Sequence, residues 1–264
     1  MFRTALGFVT FIVATTMSGV ECAIASVRGT PDAPGGPYDR TAGRWSRMVC
    51  WATGVDIVIH GQEHLDGDHP RVFVANHVSW FDIFTLMQVL PHHKFVAKAE
   101  LRSMPLFGWA ATKWGVVWIE RENRRNAFAA YESAALRIKQ GVSVAVYPEG
   151  TRGDHYELRQ FKKGPFVLAI ASGVPIVPTV IHGSREVHAR TDLFVKAGTV
   201  HLHFLPAVST AGLSYDERND LARRVRDTMA ECLDREYGVK SVPSERLRPV
   251  VGVSPRAPDI VSLN

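Results

Sequence analysis

Between residues 71 and 204 the chain switches repeatedly between two hydrophobic periods. Short runs rich in Val, Ile and Phe read as buried strands, and each leads into a stretch with apolar residues at helical spacing. Strands are expected near 54–61, 71–75, 94–97, 116–119, 142–147, 174–183 and 200–204. Helices are expected at 81–90, around 105–114, at 125–140, at 166–173 and from Ser214 on, where Glu217 completes a capping box. Phe128, Tyr131, Ala135 and Ile138 would form the inner face of the fourth strand's following helix, and Leu221, Val225, Met229 and Cys232 that of the last. This alternation predicts a mixed α/β domain. In such folds ligands gather where strands run out into helices.

The ends of the chain differ from this middle. From Ala5 to Val27 the sequence is apolar apart from Glu21 and small polar residues. Three readings fit: a membrane-spanning helix, a signal peptide with Arg3 as its basic start and Ala23-Ile24-Ala25 as cleavage site, or an interfacial helix. Gly35, Gly36 and three prolines make 28–43 read as a linker. The expected division is a segment and linker over 1–43, a domain over 44–237 and a polar tail over 238–264.

Composition narrows the partners. The formal net charge of +5 favours anionic ones, and no interleaving of basic and aromatic residues suggests nucleic acid. Cys22, Cys50 and Cys232 form no C-x-x-C pair, which fits a reducing compartment. His201 and His203 share one strand face without a third ligand at fitting spacing. An exposed strand face is the expectation there, and no metal site.

The chemistry concentrates at strand ends. In "VFVANHVSWFDIF", 72–84, an apolar strand stops at Asn76 and His77, and Asp82 follows at the start of a helix. On one reading Asp82 only caps that helix, paired with Ser79. On the other, it fixes the tautomer of a His poised as general base. Backbone N–H groups at this helix start are candidate oxyanion donors. In "VSVAVYPEGTR", 142–152, Glu149, Gly150, Thr151 and Arg152 turn away from a second strand. Thr and Arg suit a phosphate or hydroxyl, while a plain turn with Glu149 paired to Arg152 is the alternative. Lys98 and Arg121 follow two further strands.

These stretches carry a resemblance. "NHVSWFD" resembles the His-x4-Asp motif of the glycerolipid acyltransferase family, the 1-acyl-glycerol-3-phosphate acyltransferases in particular. "GVVWIER", "YPEGTR" and "VPIVPTVI" are similar to that family's further blocks, in the same order, from about residue 44 to 206. The resemblance implies a glycerolipid acyltransferase-like mixed β-sheet flanked by helices, with a membrane-associating N-terminal helix on the cytoplasmic face. It implies His77 as general base and Asp82 as its orienting partner. Lys98, Arg121, Glu149, Gly150, Thr151 and Arg152 would hold glycerol phosphate. The donor would be an acyl thioester of coenzyme A or acyl carrier protein, entering as substrate, with no further cofactor. Tyr147 and Trp118 stand where Phe is usual, Glu120 where Asp is common and Pro165 where a small residue is usual. These departures leave the acceptor open between lysophosphatidic acid and another lyso-lipid such as lyso-ornithine lipid.

Overall fold

The computed structural model describes residues 2–67, 69–120 and 124–246. Its elements in order are α1 (Phe2–Val27), α2 (Pro37–Thr53), β1 (Val55–His60), β2 (Val72–Ala75), α3 (Phe81–Val89), β3 (His93–Lys98), α4 (Phe107–Trp114), β4 (Val117–Ile119), α5 (Arg124–Lys139), β5 (Ser143–Val146), α6 (Gly164–Ser172), β6 (Ile176–His182), α7 (Ser184–Val187), β7 (Gly198–Phe204) and α8 (Arg218–Tyr237). The strands form one sheet in the order β1-β7-β6-β2-β5-β3-β4. All neighbours are parallel except β6 and β7. The carboxyl ends of β6, β2, β5, β3 and β4 therefore share one edge, while β1 and β7 run the other way.

Every residue of β2 and β5 is buried. That is why these strands read as continuous apolar runs: a parallel strand covered on both faces has no polar side. Val72 and Val74 pack with Val144, Val146, Phe166 and Met229, beneath α5, α6 and α8. Phe73 and Ala75 face the opposite layer, with Trp45, Phe84 and Trp114 from α2, α3 and α4. Pro178 lies inside β6, where a proline would normally break the ladder. Its carbonyl accepts the Leu205 N–H at 2.9 Å, so its missing N–H also falls on that side, one residue past the Thr179–Phe204 pair.

The last helix starts later than its capping box. Ser214 and Glu217 cap a single 3-10 turn that leads into α8. The expected stripe of Leu221, Val225, Met229 and Cys232 is buried. In α5, Ile138 is buried and Tyr131 and Ala135 half-buried, while the Phe128 side chain lies outside the described residues. His203 departs from the expected exposed strand face. It is buried, stacks on His60 at 4.1 Å and meets the Tyr237 hydroxyl at 2.6 Å.

The ends pack more closely on the domain than the expected division suggests. The linker stops at Gly36, because Pro37 opens α2 at the position where its missing N–H costs nothing. Asp32 meets Lys94 Nζ at 2.9 Å and Asp39 meets His92 Nδ1 at 2.8 Å, pinning the connection to β3. The stretch after Tyr237 is held as far as residue 246. Buried Arg226 donates to the Val242 carbonyl, and Ser244 donates to Asp227.

Helix α1 packs on α2 and α4 through small residues, including Ala14, Ser18 and Cys22. A Cβ at Gly19 would fall 2.2 Å from the Trp109 ring. Trp45 Nε1 donates to Thr15 at 2.9 Å, and Glu21 pairs with Arg44 and Thr41, so the carboxylate inside this apolar helix is compensated. The outer face exposes Phe8, Val9, Ile12, Val13, Met17 and Val20. The helix is long and apolar enough to cross a membrane.

One side chain fastens the central strand beyond its end. Asn76 Nδ2 donates to the Ile181 carbonyl at 2.9 Å, and the Ile181 N–H donates to Asn76 Oδ1 at 2.8 Å. Asn76→Ala leaves both buried backbone groups of Ile181 without these partners. We expect urea denaturation to show a loss of about 2–4 kcal/mol.

Candidate active site

Four strand ends bring the site together. After β2 the chain turns through Asn76 to Trp80 and enters α3. His77 Nδ1 lies 2.7 Å from Asp82 Oδ2. The same oxygen accepts the N–H groups of Val78 at 2.7 Å and Ser79 at 2.8 Å. Asp82 is fully buried. A carboxylate acceptor places the proton on Nδ1 and leaves Nε2 as the basic nitrogen of the ring. Tyr147, at the end of β5, stacks on the imidazole with centroids 4.0 Å apart. Asp82 therefore meets His77 as the second reading expects, while the N-cap position of α3 is Trp80 and carries no side-chain cap. The bonds of Asp82 to the Val78 and Ser79 amides shape the turn ahead of the helix, and its bond to Nδ1 orients His77.

The backbone of His77 is held from β5. Its N–H donates to Glu149 Oε1 at 3.2 Å, and its carbonyl accepts the Gly153 N–H at 2.7 Å. Glu149 Oε2 accepts Arg159 Nε at 3.1 Å, with the Glu149 side chain 3% exposed. This corrects two expectations. Glu149 is a brace for His77 and makes no part of the cavity wall, and its cation is Arg159 rather than Arg152. Arg159 also donates to the Thr151 carbonyl. No motif pointed to Arg159. The only signal was that a buried carboxylate needs a cation.

A cavity of about 230 Å³ opens beside His77. Its polar wall consists of Lys98 from the end of β3 and Thr151 and Arg152 from the loop after β5, with Gly150 between them and β5. Gly150 takes φ 81°, which lets the loop turn back along the sheet edge. Arg152 lies over the Trp80 ring at 4.8 Å. Burial, and then the nearby charge of Arg190, pull the Arg152 pKa below its usual value. An anion in the cavity would offset that unfavourable environment. Lys98 makes no ion pair among the described residues. The rest of the wall is apolar and includes Trp45, Met87, Phe95 and Trp114. A second cavity of about 390 Å³ lies among α1, α2, α3 and α4, lined by Phe8, Phe11 and Val49. The two share Trp45, Trp80, Ile83 and Phe107, so one layer of side chains divides them.

Arg121 lies outside the described residues, although Trp118 of β4 reaches the cavity wall. Of the amides expected as oxyanion donors at the start of α3, that of Trp80 has no partner among the described residues, and four others are engaged. The amides of Val78 and Ser79 serve Asp82, that of His77 serves Glu149, and that of Phe81 serves Ser79 Oγ at 3.2 Å. Lys98, Thr151 and Arg152 add side-chain donors on the cavity side.

Comparison with known proteins places this arrangement. Residues 56–182 match the family model described as Acyltransferase. The chain is 35% identical over 178 residues to the 1-acyl-sn-glycerol-3-phosphate acyltransferase alpha of Ovis aries, covering 67% of this chain and 62% of that protein. The Homo sapiens protein of the same name is 35% identical, with 67% and 63% covered. The 1-acyl-sn-glycerol-3-phosphate acyltransferase of Saccharomyces cerevisiae is 32% identical, with 70% and 62% covered. The chain thus spans less than two thirds of the length of these relatives. The crystal structure of the 1-acyl-sn-glycerophosphate acyltransferase PlsC from Thermotoga maritima has the same fold. It superposes with a TM-score of 0.73 at 24% identity, over 91% of this chain and 98% of that one. Residues 56–182, which carry the His77–Asp82 pair at the carboxyl edge of the sheet, are thus an Acyltransferase domain.

Proposed function

We propose that this chain moves a fatty acyl group from a thioester of coenzyme A or acyl carrier protein to the sn-2 hydroxyl of 1-acyl-glycerol 3-phosphate, giving phosphatidic acid. The observation that carries this reading is the His77 Nδ1–Asp82 Oδ2 contact of 2.7 Å at the wall of a cavity that also presents Lys98 and Arg152. His77 Nε2 takes the hydroxyl proton as the oxygen attacks the thioester carbonyl, and buried Asp82 stabilises the imidazolium. The tetrahedral intermediate expels the thiolate, which receives the proton from His77. Lys98, Thr151 and Arg152 hold the phosphate, and Arg121 joins them on the strength of the motif. The thioester is already activated, so no covalent acyl-enzyme is needed.

The exposed apolar face of α1 lies against a membrane, which suits a lipid acceptor. Its inner face packs into the domain through the Trp45–Thr15 and Glu21–Arg44 contacts, which supports lying on the bilayer over spanning it. Thioester donors are cytosolic, which supports the cytoplasmic face.

The test is transfer from a labelled acyl thioester to lysophosphatidic acid by the full chain on vesicles. His77→Ala should lower kcat about 10²- to 10⁴-fold with near-ultraviolet dichroism unchanged. Equal turnover by the folded variant would remove His77 from the mechanism. The braces separate from the binders in the same assay. Glu149→Ala should lower kcat, because it acts through His77, whereas Arg152→Ala should chiefly raise the KM for the phosphorylated acceptor. Replacing Phe8 and Ile12 together by Asp should reduce co-flotation with anionic vesicles about tenfold or more, measured by centrifugation.

A further inference from the structure

Tyr147 replaces the usual Phe of the Pro-Glu-Gly-Thr-Arg block, and its ring meets every need a Phe would. It stacks on His77 and lies 6.2 Å from Phe95, centroid to centroid, within the apolar core. The added hydroxyl contributes nothing to that packing. It is buried and has no hydrogen-bond partner among the described residues. Proteins rarely leave a buried hydroxyl unpaired, because the group loses its water and gains nothing in return. Tyr147 also lines the catalytic cavity, whose wall there is otherwise formed by Phe95, Met87 and Trp114.

We propose that Tyr147 is a specificity-determining residue whose hydroxyl donates a hydrogen bond to an oxygen near the reacting end of one of the two lipid chains. This rests on the acyl-transfer reading above. Rings in stacking contact keep the hydroxyl close to where the acyl carbonyl meets His77. The oxygen it serves therefore lies within the first few atoms of a chain, as a 3-hydroxyl on the donor or an sn-1 ester carbonyl on the acceptor does. A plain hydrocarbon in that place would leave the hydroxyl unpaired. Burial, and then the charge of Asp82, push the Tyr147 pKa well above its ordinary value, so the phenol keeps its proton and acts as a donor.

Tyr147→Phe keeps the ring and removes the hydroxyl. Two ratios of kcat/KM are measured for the wild type and this variant. One compares 3-hydroxyacyl with unsubstituted acyl thioester on the same lysophosphatidic acid. The other compares ester-linked with ether-linked lysophosphatidic acid under an unsubstituted donor. The wild type should favour the oxygenated member of one pair about tenfold or more, and the variant should lose that preference. The pair affected identifies which chain the hydroxyl reads. The thermal midpoint of the variant should equal or exceed that of the wild type, and a lower one would mean that the hydroxyl is already paired within the protein. Unchanged ratios in both arms, or an equal loss of turnover on every substrate, would overturn the proposal and leave Tyr147 as a support for His77. A wild type that turns over no pair would refute the acyl-transfer reading, and the proposal would fall with it.

Discussion

A single carboxylate oxygen holds the site. Asp82 Oδ2 accepts the imidazole N–H of His77 and the successive amides of Val78 and Ser79. An ionised group with no exposure to water is costly unless donors meet it, and these three, all on Oδ2, supply the compensation it has, since Oδ1 has no partner among the described residues. They also fix the shape of the turn between β2 and α3. Shaping the turn into the helix and orienting the histidine are therefore one interaction. The tautomer that leaves Nε2 basic follows from the way the chain enters its helix.

The turn is itself tied to both neighbouring strands. Asn76 bonds to Ile181 of β6, and the backbone of His77 is bonded to Glu149 and Gly153 beyond β5. Glu149 is in turn held by Arg159. Few of these residues face the cavity, yet they set the position of the one that does. A site built on strand ends and braced from both sides keeps its geometry without help from a ligand.

The helical layer links this edge to the exposed apolar face of α1. Trp45 of α2 bonds to Thr15 of α1, packs on Trp114 of α4 and lines both cavities. The apolar N-terminal helix is thus continuous with the walls of the catalytic cavity rather than a tether joined by a loose linker. This is why the small residues of α1 matter as much as its large ones: they let it approach, while Phe8, Ile12 and Val13 remain outside.

Much of this was legible in the residues alone. Continuous apolar runs marked β2 and β5, helical spacing marked α3 and α8, and polar residues just past the strands marked the functional edge, because period and punctuation are local properties. His77, Asp82, Lys98 and Arg152 could be placed at strand ends on that basis. What remained open depended on contacts between distant parts of the chain. The carboxylate of Glu149 chose Arg159 and the His77 amide over Arg152. The amides of Val78 and Ser79, ahead of α3, went to Asp82. The antiparallel turn of β7 and the early start of α2 at Pro37 followed from packing that no short window contains. The sequence by itself determined which residues stand at the ends of strands. Only the tertiary structure decided what each of them touches, because burial and charge compensation are settled by neighbours brought together from far along the chain.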